Sequence, residues 1–488
     1  MSLLAPYQYS TSPKMAYGVD KLGLDTPLTQ FLLGCCLLLG IVVSAAYRLR
    51  GREKEATPTP LHLLQFPPSR RHVLAGLSAS AKSAYVHDID PRILHAKALP
   101  TTRAPDLAKD DQYTPTGFST QEIRALGRFP DYAVLSGVRH PKPVDPSFDL
   151  SKATFRPFRP FRWNYHQTMS LMKFDPDWWV EFERNYHQSM AARQDLLRTH
   201  PDNVQFDYPG SELASRELME MLLQFITTRY PQYFSLTNNN TTLHNRLLNT
   251  TSSLLTTPPL KVIFDNIPED YALMLRNEDD GLYYLRAARV CSSVGWDIGQ
   301  HRNKPLAEIH AHVPDFKNKL AFSMDRFFAR MPADQPIQRC SWSLEDHAPL
   351  FSSPAVAPDW ARSAFAANPE ALRPEDVRLR CDWQTLRRLP LSGAIVFNFK
   401  AVFCLFTDLR EEAYVPALLL KVLREGKEDL IAYKCAEHVR RVAMAALEVW
   451  AAEQVEAGVV PPDWEVGTLD ESPFFPGWEE VWRRRQGV

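Results

Sequence analysis

From Thr26 to Tyr47 the chain runs for 22 residues without a charge, through FLLGCCLLLGIVVSAAY. About 20 such residues cross a bilayer as one helix, so the segment is expected to be a single transmembrane helix. A secretory signal is the competing reading, but no basic stretch immediately precedes the run and no clear small-residue cleavage site closes it. Arg48, Arg50, Arg52 and Lys54 follow directly, whereas Lys14 and Lys21 before it are balanced by Asp20 and Asp25. The positive-inside bias then puts the C-terminal bulk in the cytosol, at the endoplasmic reticulum or another endomembrane. Cys35 and Cys36 fall inside the span, where they read as small apolar filler rather than as juxtamembrane palmitoylation sites. Asn239, Asn240 and Asn249 each begin an N-x-T sequon, which would carry a glycan only in a luminal domain. A mobility shift on glycosidase treatment would reverse the orientation.

The rest of the chain has an ordinary globular balance. It is 45% hydrophobic and 23% charged over 488 residues, which excludes a polytopic or wholly disordered protein. Lys plus Arg (56) and Asp plus Glu (57) nearly cancel, so there is no basic field to hold nucleic acid. The 39 Pro exceed the usual ~5% and the 19 Gly fall below the usual ~7%, which favours long irregular segments over glycine-rich nucleotide loops. Seven Cys without a CxxC pair exclude the common zinc and iron–sulfur frameworks and suit a reducing compartment.

Residues 48–154 read as a Pro-rich linker lying partly on the main domain, with 1–25 as an N-terminal tail. Compact structure then begins. Asp175-Pro176 predicts a helix start, with Trp179, Phe182, Tyr186, Met190 and Leu197 at helical spacing, and Ser211 is expected to cap a second helix that Pro231 ends. From Lys261 the texture turns to strands: VIFD, then YALMLRN and LYYLRAARV joined by an Asp-Gly turn. A helix is expected over 316–331. Two strands follow, VRLRCDWQTLRRL and SGAIVFNFKAVFCLF, then a helical stretch over 411–456 broken near Gly426. The Trp-bearing tail beyond Gly458 is expected to dock. The sum is an α+β domain with an antiparallel sheet bordered by helices.

There is no GxGxxG, GxxxxGKS/T, GxSxG or HExxH, so any redox chemistry must use borrowed electrons. His310 and His312 are two apart, with His301 nearby; on an extended segment the pair would face one way as metal ligands, or each is a hydrogen-bonded structural residue. In RPFRPFRWNYHQTMSL, Arg156, Arg159 and Arg162 alternate with aromatics, which suits an anion clamp or a loop strapped down by ion pairs. Arg387 and Arg388 before the Ser392-Gly393 turn leave the same two readings open.

Five ordered motifs over roughly 155–435 resemble the haem-binding large subunit of haem-dependent oxidative N-demethylases and their membrane-anchored fungal relatives. They are RPFRPFRWNYHQTMSL with FDPDWWVEFERNY, EDYALMLRNEDDGLYYLRAARVCSSVGW, KPLAEIHAHVP with SMDRFFARM, CSWSLEDHAPLF, and QTLRRLPLSGAIVF. The resemblance implies a PAS-like haem domain, taken as 155–440, with 441–488 as a C-terminal helix and tail. It further implies haem b with one axial protein ligand, an N-methyl amine substrate, and electrons from a separate NAD(P)H-dependent reductase. Within IHAHVP the ligand role falls on His310, because His312 stands where the family pattern IHxPVP has Pro; His166 is the next candidate. Arg159, Arg162, Arg387 and Arg388 are the candidates for the propionates, and Glu308 and Asp325 for a carboxylate facing the cationic amine. The chain departs from the pattern at CDWQTL and at CSSVGWDIGQHRN; if these segments line the pocket, the bacterial substrate need not carry over. A haem sensor or a non-catalytic membrane-tethered interaction protein are the alternatives to a monooxygenase.

Overall fold

The computed structural model describes residues 66–71, 107–109, 112, 114–164, 168–277, 279–293, 296–348, 351, 365 and 367–487. The segment 26–47 and His166 lie outside these residues. Among the described residues no helix is long and apolar enough to cross a membrane.

A seven-stranded antiparallel sheet organises the domain. Its strands are β1 (Met172–Lys173), β2 (Gln205–Asp207), β6 (Asp270–Arg276), β7 (Tyr283–Arg289), β8 (Ile337–Glu345), β9 (Arg378–Arg388) and β10 (Ile395–Leu405), in the spatial order β1-β8-β9-β10-β6-β7-β2. A separate meander holds β3 (Phe234–Thr237), β4 (Thr242–Asn245) and β5 (Thr250–Ser253). Helices among the described residues include α1 (Thr120–Leu126), α2 (Tyr132–Ser136), α3 (Tyr186–Thr199), α4 (Pro201–Val204), α5 (Glu212–Arg229), α6 (Pro259–Asn266), α7 (Leu306–Ile309), α8 (Ala321–Arg330), α9 (Val415–Glu425), α10 (Glu428–Lys434), α11 (Glu437–Glu456) and α12 (Trp478–Gln486).

Strand pairing fixes which side chains share a face, because side chains alternate with a period of two. Trp383 lies opposite Cys340 and Lys400, so Cys340, Trp342, Cys381 and Trp383 share one face, packed with Leu419, Val422 and Leu447 of α9 and α11. Gln384 lies opposite Arg339 and Phe399, and Leu386 opposite Phe397, so these side chains share the other face. That second face continues through Ala272 and Met274 of β6 and is covered by Phe316, Leu320, Met324 and Phe328 of the segment leading into and through α8.

Several elements differ from the sequence reading. Asp175-Pro176 starts only a 3-10 turn, Pro176–Trp178, and α3 begins at Tyr186. Residues 179–182 are held instead by tertiary bonds: the Glu181 N–H donates to Glu269 at 2.9 Å and the Tyr230 hydroxyl to the Val180 carbonyl at 3.1 Å. VIFD is helical, inside α6, where Pro259 occupies the first turn; a short apolar run has no period that separates buried helix from strand. Ser211 precedes α5 but makes no cap bond, its hydroxyl turning to Asp207 and the Tyr208 carbonyl. Strand β8 and the β3–β5 meander were not expected. The sequon asparagines sit in that meander's turns, with Asn239, Asn240 and Asn249 at φ of 52°, 59° and 52°, a left-handed conformation that Asn tolerates better than most residues.

Residues 114–154, within the stretch read as linker, are built into the core: Phe118, Ile123, Tyr132, Leu135 and Leu150 are all buried there. The helical stretch 411–456 breaks at Gly426 and again at Cys435, which makes a β-bridge with Leu344. The tail docks. Phe475 is fully buried, Phe474 stacks on Trp478 at 4.1 Å, and the Trp482 indole N–H donates to the Thr154 carbonyl at 2.9 Å.

Candidate functional site

The second face of the large sheet and the segment 296–328 enclose a cavity of about 240 Å³; counting the part open to solvent, the space between its walls is about 1510 Å³. Large apolar clefts with a few converging polar groups are the usual place for ligands and cofactors. The sheet supplies Met274, Leu285, Leu386, Phe397 and Phe399, and the covering segment Ile309, Val313, Phe316, Met324 and Phe327. Phe397 stacks between Phe399 (5.7 Å, 12°) and Phe328 (5.5 Å, 28°), so flat aromatic surface runs along the sheet side.

His310 stands at the end of α7, a single turn started at Pro305. Its Nδ1 lies 2.9 Å from the Leu306 carbonyl, which can only accept, so Nδ1 carries the proton and Nε2 the lone pair. Burial drives the imidazole down to about 4, leaving it neutral at pH 7. Its ring stacks on Phe316 at 5.2 Å and 15°. A neutral imidazole with one nitrogen tied to a backbone carbonyl is the usual form of a metal-ligating histidine. His301 and His312 also line the cavity with rings 6.4 Å apart, and His301 is lowered by burial and by Lys304 and His312. They do not join His310 in a ligand set: among the described residues no three His, Cys, Asp or Glu come together to hold a metal ion. A cofactor that brings its own iron ligands needs only the one imidazole.

The polar end of the cavity comes from β8, β9 and α10. Arg339 donates through Nη1 to Gln384 at 2.9 Å, and its Nε is buried with no partner among the described residues. Arg380 donates to Asp382 at 2.8 Å and to the Ser292 carbonyl at 2.8 Å, while its Nη1 is likewise buried and unpartnered. Lys434 donates to the Ser341 hydroxyl at 2.7 Å, and burial pushes its amine down to about 8. Three cations therefore face one carboxylate, Asp382, among the residues lining the cavity.

Both segments that depart from the family pattern line this space: Ser292, Trp296, Ile298 and His301 from one, Asp382, Gln384 and Leu386 from the other. Asp270 anchors the first by accepting the backbone N–H groups of Cys291 (2.9 Å) and Ser292 (2.8 Å), and is itself paired with buried Arg193 at 2.5 Å.

The other expected site residues stand elsewhere. Arg159 is clamped by Glu412, its Nη2 at 2.6 Å, on the side of the sheet that packs against α9 and α11. Arg387 is buried with its guanidinium 4.2 Å over Trp179 and no carboxylate partner among the described residues, and burial lowers it to about 9. Arg388 spends its donors on the Phe328, Met331 and Gly393 carbonyls and the Tyr283 hydroxyl, which ties the 389–394 turn to the C-terminal end of α8. None of these three arginines, nor Arg162, Glu308 or Asp325, lines the cavity. Glu308 is exposed on α7, and Asp325 is half-buried with its carboxyl raised by desolvation. Arg339, Arg380, Asp382 and Lys434 carry no motif signal in the sequence. The parity of β9 was enough to find Arg380, Asp382 and Gln384 on one face, but only the tertiary fold brings in Lys434.

The family model described as haem-dependent oxidative N-demethylase, alpha subunit-like, matches residues 170–444, which covers β1 through α10, the first turns of α11 and every cavity-lining residue except Thr168 and Met169. The match takes in more than half of the chain and establishes that the chain belongs to the family of haem-dependent oxidative N-demethylase alpha-subunit-like proteins.

Proposed function

We propose that this protein is a haem-dependent monooxygenase that removes a methyl group from an N-methyl amine, with electrons from a separate reductase. The observation that carries the reading is His310, a neutral imidazole held in one tautomer by Leu306 within an aromatic cavity. Haem bound there supplies dioxygen activation: two electrons, two protons and one O₂ convert the N-methyl group to formaldehyde and leave the demethylated amine and water.

The chain's own residues set the conditions. His310 offers Nε2, with its other nitrogen fixed so that the ring cannot turn over without losing a hydrogen bond. The Phe316, Phe327, Phe397 and Phe399 side chains keep bulk water from the reacting centre. For a cationic amine the cavity offers the aromatic faces of Trp296 and Phe399, whose ring centroids lie 6.4 Å apart. A helix-covered antiparallel sheet with the ligand histidine on the covering side supports a PAS-like reading, and the uncharged 26–47 segment supports a membrane tether.

The test is the absorption spectrum of protein produced with haem supply, followed by formaldehyde release with an N-methyl amine and a reductant. A Soret band that His310→Ala removes or shifts, together with amine-dependent formaldehyde, is the expected result. A folded protein that takes up no haem refutes the reading.

A further inference from the structure

We propose that Arg339, Arg380 and Lys434 form a seat for paired carboxylates, and that in the haem-loaded protein these are the two propionates of the porphyrin. The inference rests on the haem reading above and deepens it.

Two buried N–H groups, Arg339 Nε and Arg380 Nη1, have no partner among the described residues, at the wall of a cavity large enough for a ligand. Unsatisfied buried donors on charged groups are costly, so their persistence at a cavity wall marks a place that an acceptor completes. Charge gives the number of acceptors. Three cations against Asp382 leave two positive charges uncompensated among the lining residues, which a dianion balances.

The arrangement also holds the cations still. Arg339 is braced by Gln384, Arg380 by Asp382 and the Ser292 carbonyl, and Lys434 by the Ser341 hydroxyl, all from β8, β9 and the loop that Asp270 anchors. Bracing that uses some donors and leaves others free orients a guanidinium for a carboxylate. Arg159, Arg162, Arg387 and Arg388 are not among the residues lining this cavity.

The experiment titrates haem-free protein with haem and with haem dimethyl ester, which has the same macrocycle and no carboxylates, following the Soret band. The proteins are wild type, Arg339→Gln, Lys434→Met and the double variant, with Arg162→Ala as control and thermal unfolding of each apo-protein as the check on folding. Wild type is expected to bind haem about 10- to 100-fold more tightly than the ester, a gap that narrows in each variant, closes in the double variant and persists in Arg162→Ala. Equal affinity of folded wild type for haem and ester overturns the assignment while leaving the haem reading intact. Failure of wild type to bind either macrocycle refutes the haem reading and this seat with it. If haem and ester bind alike but the loaded protein gives a spectral change with sarcosine, lost in Arg339→Gln and absent with dimethylamine, the cations serve a substrate carboxylate, and the propionate assignment is overturned.

Discussion

Acid should destabilise the haem-free protein through His310, over a window that its surroundings define. Burial holds the imidazole at about 4 instead of the ordinary 6.5, although the bond to the Leu306 carbonyl pulls the other way. Between those two values the unfolded chain binds a proton that the folded chain refuses. The stabilisation tied to the neutral ring is therefore complete above pH 6.5 and is lost as pH falls towards 4. The drop from 6.5 to about 4, at ~1.36 kcal/mol per pH unit, sets a ceiling of roughly 3 kcal/mol. Because the residue is only half-buried by surface, we expect about 1–3 kcal/mol. The assay is urea unfolding of apo wild type and His310→Gln at several pH values from 7 to 4. Other groups titrate in both proteins, so the difference between them isolates the ring. That difference should change by about 1–3 kcal/mol across the window, with wild type losing more as pH falls. A difference that does not vary with pH would show that the fold does not hold this imidazole neutral, and the argument for Nε2 as a ready iron ligand would fall with it.

Glu412→Gln leaves buried Arg159 without its countercharge and should cost about 3–5 kcal/mol in unfolding measurements, with haem affinity of the folded protein unchanged. Arg387→Met removes a buried guanidinium that no carboxylate among the described residues compensates, so stability should change by less than about 1 kcal/mol or rise, as read from the urea midpoint. Gly393 has φ of 73° in the turn that Arg388 ties down, and an added Cβ would meet Pro115 Cβ at 3.1 Å. Gly393→Ala should therefore cost at least about 1–2 kcal/mol in the same assay.

The long strands of the sheet were legible because their alternation is local. VRLRCDWQTLRRL and SGAIVFNFKAVFCLF carry alternate-face chemistry along their whole length, and both formed where expected, as did the YALMLRN hairpin strands. Elements that depend on partners were not legible. Residues 175–182 carry a helix signal, yet Glu181 and Val180 exchange helical bonds for contacts to Glu269 and Tyr230. Strand β8 has a plain inside–outside alternation, but it reads as a strand only once β9 lies beside it. The docking of residues 114–154 could not be read either, because Pro-rich chain looks the same in sequence whether it lies free or wraps a core.

What the sequence by itself determined is the α+β class, the family and the absence of a nucleotide-binding motif, since each follows from local pattern or ordered motifs. Only the tertiary structure decided which arginines face the cavity. A guanidinium's role depends on what meets it across space: Glu412 meets Arg159, backbone carbonyls meet Arg388, Trp179 meets Arg387, and the cavity lies against Arg339 and Arg380. Those partners are separated by up to hundreds of residues along the chain, so their pairing is a property of packing.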